Sequence, residues 1–87
     1  MHAVVVNVTI KDLEAADRVL KEQVVPRTSQ APGFVAGYWA RKDNSGLSMI
    51  IFESEDAANA AVEQLKGAAP EGVTIDDIEV REVVANA

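Results

Sequence analysis

The sequence predicts an α+β domain in the order β-α-β-β-α-β, a four-stranded antiparallel sheet with two helices on one face. Three observations predict it. Two stretches, 11–25 and 54–67, repeat apolar residues at helical spacing. Four runs rich in β-branched and aromatic residues surround them. Between the middle two runs lies Asp43-Asn44-Ser45-Gly46, a turn cluster that joins them as a hairpin.

The first strand is 2–10, HAVVVNVTI, with His2, Val4, Val6, Val8 and Ile10 on one face and Ala3, Val5, Asn7 and Thr9 on the other. In the first helix, Leu13, Ala16, Leu20 and Val24 form an apolar stripe that Val19 widens, with Asp12 as N-cap. Glu14 with Arg18 and Asp17 with Lys21 stand at i,i+4 spacing in the favourable acid-first order. Pro26 lacks a backbone donor and crowds the carbonyl of Glu22. No turn residue follows until Pro32-Gly33, so the helix is expected to kink at Pro26 and run on to about Gln30.

The second strand is 33–42, placing Phe34, Ala36, Tyr38 and Ala40 on one face and Val35, Gly37, Trp39 and Arg41 on the other. The third is 47–53, with Leu47, Met49 and Ile51 opposite Ser48, Ile50 and Phe52. Ser54 caps the second helix, Glu55 and Asp56 complement its dipole, and Ala58, Ala61, Val62 and Leu65 form its stripe. Gly67 is expected just past its end, with Pro70 preventing continuation. The fourth strand is 73–84, bent or bulged near Asp76-Asp77.

The chain has 87 residues, which fits one domain spanning 1–87. It has no cysteine, which excludes disulfides, thiolate zinc sites, iron–sulfur clusters and a cysteine nucleophile. Its one histidine argues against multi-histidine metal sites and a Ser–His–Asp triad. The net charge of −6 argues against nucleic acid as a partner. No apolar run is long enough to span a membrane and no signal-peptide pattern opens the chain, so a cytoplasmic location is expected.

Two helices cover only one face of such a sheet, yet the first three strands carry large apolar residues on both faces. A bare second face would be an apolar patch larger than soluble monomers usually tolerate. The simplest cover is the same face of a second copy, so a homodimer is expected.

The element order, the stretch APGFVAGYW at 31–39 and IIFESEDAANAA at 50–61 resemble the dimeric α+β barrel superfamily, and within it the antibiotic-biosynthesis-monooxygenase-like family. The resemblance covers nearly the whole chain. It implies a ferredoxin-like fold, two sheets pairing into a dimeric α+β barrel, and a small hydrophobic or aromatic molecule as ligand. Haem-degrading members carry an axial histidine in or just after the second helix; 54–72 contains none, so no cofactor is expected.

Asn7 matches in position an asparagine on the first strand of cofactor-independent and haem-degrading members. The resemblance therefore implies a catalytic role, orienting substrate or an oxygen-derived anion. The residues alone favour a plainer reading, a buried amide bonded to a neighbouring backbone or helix residue, or a pocket-side polar group with no catalytic role. Trp39 stacks on a planar substrate in one reading and packs the core or a dimer interface in another. Arg41 shares its face and clamps an anionic group, or ends the strand in solvent. His2, the one histidine, is a candidate base, but it sits at the chain terminus, where fraying is common. Asp76, Asp77 and Glu79 read as a solvated edge, and no metal site is expected.

Two functions follow: a small cofactor-independent monooxygenase acting on an aromatic or phenolic molecule, or a non-catalytic dimer that binds a small ligand or supports a partner. Any pocket is expected between the sheet and the two helices, with Asn7 on its wall.

Overall fold

A computed structural model describes residues 1–67 and 70–87. The strands are β1 (His2–Ile10), β2 (Phe34–Lys42), β3 (Ser45–Phe52) and β4 (Val73–Glu82). The helices are α1 (Leu13–Val19), continuing through a π-helical turn (Leu20–Val24) into α2 (Val25–Ser29), and α3 (Glu55–Gly67). The strands form one antiparallel sheet in the order β2-β3-β1-β4, with both helical arms on one face. The fold class expected from the sequence is the one observed.

The β-branched valines of β1 suit its central position, where it is paired on both sides. Its even residues face the helices. Val4 and Val6 pack with Ile50, Phe52, Ala58 and Val62 as the core, where Val4 and Ala58 are fully buried. The alanines of α3 let that helix lie close to the sheet, as its stripe suggests. Phe34 meets Phe52 edge to face, ring centroids 6.4 Å apart.

Two bulges decide which side chains reach the core. Val35 is extra in β2, so Phe34 pairs with Phe52 while Ala36 pairs with Ile51. Phe34 therefore joins the helix side, and the expectation that it shares a face with Tyr38 is corrected: one inserted residue inverts the alternation. Asp76 is extra in β4, between Ile75 opposite Val8 and Asp77 opposite Asn7. This expected bulge keeps Val73, Ile75, Ile78 and Val80 on the core side, although their spacing changes from odd to even positions. Thr9 Oγ1 donates to Asp76 Oδ2 at 2.7 Å and holds the bulge.

Asp12 caps α1 as expected, its carboxylate accepting from the Ala15 amide at 3.1 Å. Ser54 caps α3 by accepting from the Ala57 amide at 3.2 Å. Gly67 is the last residue of α3 rather than the one after it, and Ala68 and Ala69 lie outside the described residues. The hairpin turn tightens to Asp43-Asn44, with Lys42 paired to Ser45 and Asp43 at φ 55°.

The first helix is rotated from the expected stripe. Leu13 stays 47% exposed, and Ala15 and Val19 are its buried residues. The loop before β4 explains this. Gly72, at φ 85°, accepts from the amides of Lys11 (2.8 Å) and Asp12 (3.1 Å). A Cβ at Gly72 would lie 2.9 Å from the Asp12 carbonyl and 3.4 Å from the Ala15 Cβ. The loop thus presses on the Ala15 side of the first turn and fixes its orientation.

The helix does continue past Pro26. The amide of Val25, the residue before it, donates to the Leu20 carbonyl five residues back, which makes a wide π turn. Helical structure then persists to Ser29, and Phe34 opens β2 after Ala31-Pro32-Gly33.

Candidate functional site

A cavity of about 560 Å³ lies between the sheet and the helices, where the sequence places it. Its floor is the helix-facing side of β1, β2 and β3, with Val6, Val8, Trp39 and Ile50 among the lining residues. Its roof is the first helical arm from Ala16 to Thr28, and Leu65 of α3 contributes at one side.

The π turn shapes this roof. A step of four residues overshoots one α-helical turn of about 3.6 residues and falls short of one π turn. The wide turn therefore cancels the usual drift, and Ala16, Leu20, Val24 and Thr28 all reach the cavity. Neither the π turn nor α2 contributes a fully buried residue, so this half of the arm stands over open space rather than on a packed core.

Trp39 is held by its neighbour on the same face. A Cβ at Gly37 would lie 2.8 Å from the Trp39 Cη2 and 3.0 Å from its Cζ3. The indole thus folds back over the bare backbone of Gly37, part of it packing on the core and part lining the cavity. Gly37 precedes Trp39 by two residues, the same-face spacing of a strand, and that spacing is the signal by which the contact could have been found.

Arg41 lines the cavity from the end of β2, and its Nη1 donates to Asp17 Oδ1 on α1, tying the sheet to the roof. Asp17 thus pairs with Arg41 rather than with Lys21. Lys21, Gln23 and Arg27 bring further polar groups to the roof, and Gln64 and Glu71 bring others to the side. The sequence reading singled out none of these as site residues.

Asn7 is not part of this arrangement. It is exposed on the sheet face away from the helices, because odd residues of β1 alternate against Val6 and Val8. The expectation that it lines the cavity wall is corrected: within one chain it touches no occupant of this cavity. It borders instead a shallow hollow of about 270 Å³ on the open face, with Lys42 and Leu47. Tyr38 also points to the open face, opposite Trp39, as the alternation predicts.

His2 lies outside the cavity. Its Nε2 is 3.5 Å from Glu55 Oε2, and its Nδ1 is buried without a hydrogen-bond partner. Among the described residues no group of three or more His, Cys, Asp or Glu side chains is placed to hold a metal ion. None of the described helices is long and apolar enough to cross a membrane.

No protein-family model matches the chain, and no curated protein matches it in sequence. Solved structures do resemble it. MupZ from Pseudomonas fluorescens superposes with a TM-score of 0.67 at 13% identity, over 91% of this chain. The chain spans 65% of the MupZ structure. The heme degrader MhuD from Mycobacterium tuberculosis, solved with two hemes in its active site, superposes with a TM-score of 0.54 at 20% identity, over 97% of this chain and 98% of its own.

These likenesses define the fold class: a ferredoxin-like α+β sheet of the kind found in antibiotic-biosynthesis-monooxygenase-like dimeric α+β barrels. At such identities they establish the fold alone, and the resemblance read from the sequence holds at that level.

Proposed function

We propose that this chain acts as a homodimer whose cavity binds an aromatic or phenolic small molecule and oxidises it with dioxygen, without a cofactor. The observation that carries the binding is the Trp39 indole, seated over Gly37 in the floor of an otherwise largely aliphatic cavity. A flat ring entering there stacks on an aromatic surface, while the valines, isoleucines and leucines exclude water.

The homodimer rests on the open face. Tyr38 is 67% exposed, Leu47 46% and Met49 43%, and they lie beside the apolar Val5 and Ile51. The same patch of a second copy covers this surface most simply.

The reaction proposed is that of an anthrone-type phenol. Loss of a proton gives an electron-rich anion, which reduces dioxygen and takes it up at the ring carbon as a peroxide. Loss of water leaves a carbonyl, so a CH2 group and one O2 become C=O and H2O. Asp17 and Glu71 are the carboxylates within the cavity that can accept the first proton. The apolar surroundings keep the anion away from bulk water.

The hemes in MhuD raise the question of heme here. The described residues lining the cavity include no histidine, cysteine, methionine or tyrosine, so none supplies a usual ligand to heme iron. The donor set does not fit heme, and no step is drawn through it.

Binding without turnover is a second reading, favoured by one observation: Asp17, one of the two carboxylates in the cavity lining, is already engaged by Arg41. Dioxygen uptake with 1,8-dihydroxyanthrone separates the two. Uptake above the spontaneous rate, reduced in Trp39→Ala, supports the oxygenase. Saturable binding without extra uptake supports the binding module, and the absence of both removes the proposal.

A further inference from the structure

The charges around the cavity depart from those of the chain. The protein carries 14 acidic and 8 basic side chains, a net charge of −6. The cavity lining reverses that balance, with Lys21, Arg27 and Arg41 against Asp17 and Glu71. Three of eight bases but only two of fourteen acids are gathered at one concave surface.

Two of these cations are not neutralised locally. Arg41 is paired with Asp17, but neither Lys21 nor Arg27 forms an ion pair among the described residues. Lys21 sits on the π turn and Arg27 on α2, the part of the roof that stands over the cavity. With Asp17 paired to Arg41, Glu71 is the remaining carboxylate of the lining, so the cleft keeps a positive surplus, and an apolar cleft with such a surplus attracts the opposite charge.

We propose that the cavity selects an aromatic molecule bearing an anionic substituent, with Lys21 and Arg27 as its specificity-determining residues. This rests on the aromatic-binding reading above and adds the charge of the ligand. The ring stacks at Trp39 and the anion points to the roof, where two cations stand ready without displacing Asp17 from Arg41. The arrangement also explains why an acidic protein, which repels anions at long range, keeps these bases together.

The test is a pair of probes of one shape, 2-naphthoate and the neutral 2-naphthamide, titrated against the fluorescence of Trp39, the only tryptophan. In low salt, 2-naphthoate is expected to bind about tenfold more tightly. Lys21→Gln combined with Arg27→Gln, both exposed positions, is expected to abolish the preference, bringing the two affinities together. About 0.5 M salt is expected to weaken the preference in the wild type through screening.

Equal affinity for the two probes in the wild type overturns the charge selection and leaves ring binding standing. A preference that survives the double substitution overturns the assignment to Lys21 and Arg27. Binding of neither probe overturns the selection together with the reading on which it rests.

Discussion

Gly37→Ala tests the seat of Trp39 directly. The added Cβ would stand 2.8 Å from Cη2 and 3.0 Å from Cζ3 of the indole. Ordinary carbon contacts are about 3.5–4.0 Å, so the ring edge must retreat by about 1 Å. The backbone itself accepts alanine, because Gly37 is not among the positive-φ glycines. Removing the freedom of glycine from the unfolded chain stabilises by about 0.4–1 kcal/mol. Overpacking costs about 1–3 kcal/mol, and here the lower end applies because the ring moves into open cavity rather than into packed core.

The net change in stability is therefore expected to be a loss of at most about 0.6 kcal/mol. Ligand binding suffers more in proportion. A stacked aromatic pair contributes about 0.5–1.5 kcal/mol beyond buried area, so losing it weakens binding by about 2- to 10-fold. Urea unfolding followed by Trp39 emission gives the first quantity, and titration with 2-naphthol gives the second. Unchanged 2-naphthol affinity together with an unchanged Trp39 emission maximum would overturn the seating of the indole over Gly37 as the ring-binding surface.

Asp12→Ala removes the N-cap bond to the Ala15 amide and is expected to cost about 1 kcal/mol in urea unfolding, a loss that Asp12→Asn largely avoids. Phe52→Ala empties the position of a side chain only 1% exposed and is expected to cost about 3–5 kcal/mol, a large share of what a domain this small possesses. Its far-ultraviolet circular dichroism should show a largely unfolded chain at 37 °C. Light scattering at micromolar concentration is expected to give twice the 9.3 kDa chain mass. Met49→Glu combined with Tyr38→Lys, a pair directly opposite across β3 and β2, is expected to give monomer; a wild-type monomer contradicts the covered-face argument.

The order of elements was legible because each carries a local signal. The valines of β1, the caps Asp12 and Ser54, and the Asp43-Asn44 turn act over a few residues. The bulge at Asp76 was also visible, since two acids interrupt an apolar alternation. What escaped was set by contacts distant in sequence. The orientation of α1 depends on Gly72, which presses on Ala15 from the loop before β4. The bulge at Val35, which sends Phe34 to the core, leaves no polar residue to mark it.

The site was legible in part for the same reason. Its place between helices and sheet follows from the fold, and Trp39 and Arg41 share a face in any regular strand. Which face that is depends on register, and register with β3 puts Trp39 under the helices and Asn7 on the other side. The π turn arises where Pro26 meets a helix that continues, and the sequence shows the proline but not the wide turn that accommodates it.

An aromatic molecule is expected to enter the cavity above Trp39 rather than to rest on the open sheet face. Two-dimensional NMR with 2-naphthol tests it most directly, because each surface carries its own reporters. Shifts are expected at the single indole Nε1–H of Trp39 and at the methyl groups of Leu20, Val24 and Leu65, all of which line the cavity. Leu47 lines both the cavity and the hollow on the open face, so the Met49 methyl, on the open face opposite Tyr38, serves as the control and stays unmoved. A shifting Met49 methyl with a stationary Trp39 indole contradicts it.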